Sequence, residues 1–153
     1  MKIAVACDHG GFPLKDVVID AVRAAGHEPV DLGTHSLESV DYPDYAAAAG
    51  RAVLDGRAER AIVLCGSGVG AAVAANKLAG VRAGVCHDVY SAHQAVEHDD
   101  LNVLALGARV IGAALATDLV HTFLRARYTA DPRHARRLAK VAALEREGGG
   151  GRP

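Results

Sequence analysis

The sequence predicts an α/β protein, a parallel sheet covered by helices on both faces. Three observations lead there. Short β-branched apolar runs alternate with segments of helical period along the 153 residues, the order that builds parallel strands joined by helical crossovers. The run Arg60–Cys65, RAIVLC, is nearly all apolar, as a strand buried between two layers must be. Half the residues are hydrophobic but only 4% are aromatic, with no tryptophan, so the core is small-residue and aliphatic.

The elements follow in order. Lys2–Cys7 reads as the first strand, and Gly10 and Gly11 turn the chain after it. Leu14, Val17, Val18, Ala21, Val22 and Ala25 recur at helical spacing, and Gly26 closes that helix. Glu28–Leu32 is the second strand. Residues 33–43, GTHSLESVDYP, make a polar connection longer than most, which points to use. Asp44–Leu54 is an alanine-rich helix and Arg60–Cys65 the third strand. Val69–Leu78 is the helix after a glycine loop. Arg82–Cys86 is the fourth strand, Val89–Glu97 a helix and Asn102–Leu106 the fifth strand. Ala113–Arg127 is a long helix with Ala116, Leu119, Val120 and Phe123 inward. Asp131 offers an N-cap and Pro132 a first helical position for a last helix to about Glu147.

These elements form one domain over residues 1–147, followed by a disordered tail, GGGGRP, at 148–153. A chain this long buries roughly 70% of its unfolded surface, so its core needs neither disulfide nor metal. A net charge of −1 supplies no global drive toward nucleic acid or acidic lipid. Three cysteines without a CxxC pair argue against a disulfide framework and for a reducing cytoplasm. The opening MKIAVACD has one lysine and a short apolar run, so neither a signal peptide nor a membrane span is expected.

Ligands of such sheets bind at the carboxyl ends of the strands. After the first strand stand Asp8, His9, Gly10 and Gly11; after the third, Cys65-Gly66-Ser67-Gly68-Val69-Gly70; after the fourth, His87 and Asp88; after the fifth, Gly107-Ala108-Arg109. Glycines let the backbone approach a ligand, and successive amides with the helix beginning at Val69 form an anion nest. A Walker loop is excluded, because Lys77 is too far along. A cysteine-phosphatase loop wants an arginine six residues after Cys65, where Ala71 stands. The dinucleotide pattern is met formally by Gly66, Gly68 and Ala71, with Asp88 twenty residues after Gly68, but it leaves Cys65 unexplained.

A thiol at that helix start is expected to have a lowered pKa and to act as nucleophile or base; burial as a small hydrophobe is the other reading, and fits Cys7 and Cys86 better. Asp8-His9 and His87-Asp88 are either acid–base pairs or surface residues. Glu97, His98, Asp99 and Asp100 lack zinc spacing, so His98 reads as a catalytic histidine on a loop. Arg133 and Arg137 share one face of the last helix, as do Arg136 and Lys140: a fork for a phosphate dianion, or a solvated basic face. No aromatic residues interleave, which disfavours nucleic acid.

The stretches CDHGGFPLK, DYPDYA, CGSGVGAAVAANKLAGVRA, YSAHQAVEHDDLNVLALGARV and PRHARR together resemble the ribose-5-phosphate isomerase B family, which also contains galactose-6-phosphate isomerase subunits. The resemblance covers residues 1–145. It implies a Rossmann-like three-layer α/β/α sandwich with a five-stranded parallel sheet. It also implies a homodimer, often paired into a tetramer, whose active sites combine two subunits. The reaction it implies is interconversion of ribose 5-phosphate and ribulose 5-phosphate without metal or cofactor. One branch of the family uses a glutamate after the glycine loop; with Ala71 and Ala72 there and Cys65 present, this chain sits with the cysteine branch.

On that resemblance Cys65 is the base that moves a proton between C2 and C1. The amides of Gly66, Gly68, Val69 and Gly70 hold the cis-enediolate, and the Ser67 hydroxyl bonds O1 or O2. His98 assists ring opening, with Asp8 as a polar partner at the sugar hydroxyls. His9, Arg109, Arg133 and Arg137 contact the phosphate, the last two reaching a neighbouring subunit's site, and Tyr42 lines the pocket. Asp99 departs from the asparagine of many members, which leaves a tetrose or hexose phosphate (erythrulose 4-phosphate or galactose 6-phosphate) as the alternative substrate. A dinucleotide-binding module stays as a further alternative.

Overall fold

The computed structural model describes residues 1–148. Five parallel strands form one sheet: β1 (Lys2–Cys7), β2 (Glu28–Asp31), β3 (Arg60–Cys65), β4 (Ala83–Val85) and β5 (Val103–Gly107), in the order β2-β1-β3-β5-β4. Among the described residues six α-helices connect and cover them: α1 (Lys15–Ala24), α2 (Tyr42–Leu54), α3 (Val69–Ala75), α4 (Val89–Asp99), α5 (Ala113–Arg125) and α6 (Pro132–Gly148). This is the expected three-layer α/β/α arrangement. No helix among the described residues is long and apolar enough to cross a membrane. The expected tail lies outside the described residues beyond Gly148, which closes α6.

Strand side chains alternate between faces, and here the alternation sorts them by size. Ile3, Val5, Ile62, Leu64, Leu104 and Leu106 point to one face, where they pack with Val18, Leu119 and Phe123 of α1 and α5. Ala4, Ala6, Ala61 and Val63 point to the other, against Ala46, Ala49, Ala71 and Ala75 of α2 and α3. Alanine on both sides lets α2 and α3 lie close to the sheet. Cys65 continues the 61-63-65 row, so it belongs to this tightly spaced face.

Several ends differ from the sequence reading, each for a local reason. α4 runs two residues past Glu97 because Asp100, at φ 50°, closes it in the left-handed conformation. That conformation usually calls for glycine. Here Arg82 steadies it through the Asp100 carbonyl at 2.8 Å and carboxylate at 2.7 Å. α3 stops at Ala75 because the Asn76 amide turns aside to bond both the N–H and the C=O of Ala83, at 2.8 Å each. α2 begins two residues early, with Asp41 ahead of it and Pro43 in its first turn.

Candidate active site

The strand order sets the site. β2 lies on one side of β1 and β3 on the other, so the chain reverses its winding between β1 and β3. Such a switch point opens a crevice at the carboxyl ends. A cleft of about 330 Å³ lies there, lined by Asp8, His9 and Gly10 after β1, Cys65, Gly66 and Ser67 at β3, and Arg109 and Val110 after β5. Three of the four expected strand ends thus meet in one place. Gly10 was placed at this strand end from sequence but given no role, and Val110 was not singled out.

The loop after β1 is pressed against β3. A Cβ on Gly11 would stand 2.3 Å from the carbonyl carbon and oxygen of Leu64, so only glycine permits that approach. The closeness brings Asp8, 6% exposed, beside Cys65. One carboxylate oxygen accepts the Gly11 N–H at 2.8 Å, and the other accepts the Cys65 thiol at 2.9 Å. Each oxygen thus holds one partner from this chain, and the carboxylate, with acceptor capacity to spare, still lines the cleft.

The glycine loop contributes backbone. Gly68 sits at φ 81° as it starts α3, a conformation costly for other residues. Arg109 is tied to the loop through its own N–H, which donates to the Gly66 carbonyl at 3.0 Å. The Ser67 hydroxyl oxygen accepts the Val69 N–H at 3.3 Å, leaving its own O–H to donate outward. The Tyr42 ring lies on the backbone of Gly70, so Tyr42 borders this same loop. His9 Nδ1 accepts the Val40 N–H at 3.2 Å. A neutral His9 therefore carries its proton on Nε2, the nitrogen left for a ligand.

The thiol is not acidified. Burial raises the Cys65 pKa, and the hydrogen bond to Asp8 and its negative charge raise it further; the N–H groups of Gly68 and Gly66 pull the other way and are outweighed. The expectation of a lowered pKa treated the loop alone and omitted the carboxylate that only the fold brings near. Cys7 and Cys86 are buried, and desolvation pushes each up to about 11, in line with a packing role.

The other expected residues sit elsewhere. β4 and β5 are parallel, so α4 runs back from the carboxyl edge to the amino edge of the sheet. His98 and Asp99 occupy its last turn, helical rather than in a loop. They are at the opposite end from Cys65, roughly 15 Å back along the helix axis. Arg133 and Arg137 lie exposed at the start of α6, beside His98, because His134 stacks on the His98 ring with centroids 3.9 Å apart. One chain thus divides the expected residues into two groups at opposite ends of the sheet.

Asp88 caps α4, accepting the Ser91 N–H at 2.7 Å, and His87 Nε2 accepts the Gly107 N–H at 2.9 Å. Both serve the fold, and Asp88 is not held toward a ribose. No cluster of three or more metal-ligating side chains occurs among the described residues.

Comparison with known proteins agrees over most of the chain. A family model described as Ribose/Galactose Isomerase matches residues 3–141. Ribose-5-phosphate isomerase B of Escherichia coli is 45% identical over 144 residues, 94% of this chain and 96% of that protein. Two solved structures are similar at 46% identity. The type B ribose 5-phosphate isomerase of Trypanosoma brucei has a TM-score of 0.91, covering 94% of this chain and 97% of that one. Ribose-5-phosphate isomerase B of Clostridium thermocellum has a TM-score of 0.93, covering 96% and 99%.

Proposed function

We propose, from the premise that the chain belongs to the Ribose/Galactose Isomerase family, that it is an aldose–ketose isomerase interconverting ribose 5-phosphate and ribulose 5-phosphate. The observation that carries the reading is the Cys65 thiol opening on a cleft beside a carboxylate, an arginine and a glycine loop. As thiolate, Cys65 takes the proton from C2 and returns it to C1. Electrons from the C2–H bond move through C1–C2 toward the carbonyl oxygen, giving an enediolate that the N–H groups of residues 66–70 and the Ser67 hydroxyl stabilise. The raised pKa has a chemical use: fewer thiolates form, but each is a stronger base toward carbon. Arg109 and the Nε2–H of His9 hold the phosphate.

His98, Arg133 and Arg137 act from a second copy of the chain. Their position at the amino edge of the sheet favours this reading, since within one chain they do not meet Cys65. There His98 opens the sugar ring, and the two arginines close on the phosphate. Asp99, next to His98, favours a second reading in which a tetrose or hexose phosphate is the preferred sugar.

A coupled assay across tetrose, pentose and hexose phosphates tests the substrate. Turnover of ribose 5-phosphate is expected, with Cys65→Ala lowering kcat by about 10² to 10⁴. Unchanged kcat in that variant would remove the base. Mixing inactive Cys65→Ala and His98→Asn chains tests the shared site: a mixed dimer has one site with both lesions and one with neither. Activity should return on mixing, and a mixture as inactive as its components would sink the two-copy reading.

A further inference from the structure

At the amino edge of the sheet one buried side chain joins two of the three residues assigned to a second copy's site, His98 and Arg133. His134 is 4% exposed, although it stands on a helix whose neighbouring side chains are in solvent. Its ring lies nearly parallel to His98, at 19° with centroids 3.9 Å apart. Its Nε2 accepts the Nε–H of Arg133 at 3.2 Å. An arginine Nε–H only donates, so His134 is the neutral tautomer with its proton on Nδ1. The Arg133 side chain is otherwise open, 62% exposed, which leaves the two terminal nitrogens of its guanidinium for a ligand. The His98 side chain keeps 28% of its surface in solvent.

We propose that His134 is a positioning residue, a neutral imidazole that fixes the His98 ring through its face and the Arg133 guanidinium through its edge, so that the ring-opening group and a phosphate-binding cation move as one unit. The inference rests on the isomerase reading above and adds a residue to it. Two separate bonds reach His134, and each does a different job. The stack sets the angle at which His98 meets a ring oxygen. The Nε2 acceptor aims Arg133 at the phosphate.

The charge balance of the pair depends on its surroundings. From α4, the Glu97 carboxylate lies 3.9 Å from His98 Nε2 and 3.1 Å from His93 Nε2. From α6 and the turn before it come Arg133, Arg137 and Asp131, the last 3.6 Å from the Arg133 Nε. Burial first, then the charges on His98 and Arg133, hold His134 below the usual imidazole range.

Two substitutions separate the two jobs. His134→Phe keeps a flat ring and loses the acceptor; His134→Gln keeps an acceptor near the Nε2 position and loses the ring. The phenylalanine variant should raise KM for ribose 5-phosphate about five- to ten-fold, the loss of one hydrogen bond, with kcat near wild type. The glutamine variant should lower kcat for ribose 5-phosphate by about ten- to a hundred-fold, the cost of a misaligned group. It should still wash solvent deuterium into C1 of ribulose 5-phosphate at the normal rate. That exchange needs only Cys65 chemistry, because ribulose 5-phosphate has no free O5 to close a ring. Imidazole resonances of His98, followed by NMR against pH, should move in the glutamine variant and stay put in the phenylalanine variant.

Equal losses of kcat, KM and deuterium wash-in in both variants, tracking a common fall in Tm, would make His134 a mere core residue and overturn the proposal. Wild-type kinetics in both would do the same. Failure of the wild-type chain to isomerise any phosphosugar would strike the underlying reading instead, and the NMR titration would still decide whether His134 governs His98.

Discussion

Lys15 is buried, with 5% of its side chain exposed, and replacing it by methionine tests how the long loop after β2 is held. Its ammonium donates to Asp31 at 2.9 Å, to the Thr34 carbonyl at 2.8 Å and to His35 Nδ1 at 3.1 Å. That loop also supplies the Val40 N–H that orients His9. Methionine keeps most of the apolar stem and removes the charge. Breaking a buried pair from one side costs about 3–5 kcal/mol. The Asp31 side chain is 35% exposed, and water recovers part of that, so about 2–3 kcal/mol is the expected loss. Unfolding entropy near 2.1 cal/mol/K per residue amounts to about 0.3 kcal/mol/K for this length, so Tm should fall by about 8 °C. The assay is thermal unfolding by circular dichroism at one fixed protein concentration, with KM measured on the same samples.

Acid provides the control. Burial raises the Asp31 pKa, but the Lys15 hydrogen bond, the Gly33 N–H and the Lys15 charge together bring it below the usual carboxylate value. A depressed folded pKa contributes stability above the unfolded value near 4 and loses it as pH falls through the folded value. The gap between wild type and Lys15→Met should therefore be full at pH 7 and narrow below about pH 4. KM should rise a few-fold with little change in kcat, because the proposed reading gives His9 a binding role and not a reacting one. A Tm within 1 °C of wild type, or a gap that stays constant into acid, would refute the reasoning.

Three further outcomes are expected. Alkylation of Cys65 by iodoacetamide should keep rising above pH 9, and Asp8→Asn should shift that curve to lower pH by removing the adjacent charge; an unmoved curve would break the pairing of the two residues. Gly11→Ala forces a methyl into the Leu64 backbone and should cost about 1–3 kcal/mol in urea unfolding while abolishing most turnover, since Asp8 is displaced from Cys65. Phe123→Ala, fully buried between α5 and the sheet, should cost about 3–5 kcal/mol yet leave kcat near wild type below its melting range.

Much of this protein was legible in one dimension because the signals are local. The short apolar runs Lys2–Cys7 and Arg60–Cys65 and the helical spacing read over Ala113–Arg127 need only neighbouring residues to be seen, and the layer architecture followed. The same locality explains the slips at element ends. Asp100 ends α4 where a glycine would have been looked for, and Asn76 ends α3 through Ala83, a partner seven residues away. The glycine loop, Cys65 and Arg109 could be picked out as an anion-holding edge for the same reason: their chemistry is written in residue type and in position after a strand.

What the sequence by itself determined, then, was the alternation of strands and helices and the residue types at each strand end. Tertiary structure alone decided which ends meet. The order β2-β1-β3-β5-β4 places Asp8 against Cys65 across fifty-seven residues of chain and reverses the expected direction of the thiol's pKa. The return path of α4 puts His98 at the far edge, beside His134. A pKa is a sum over neighbours in space, where charge and burial act through distance and not through sequence separation.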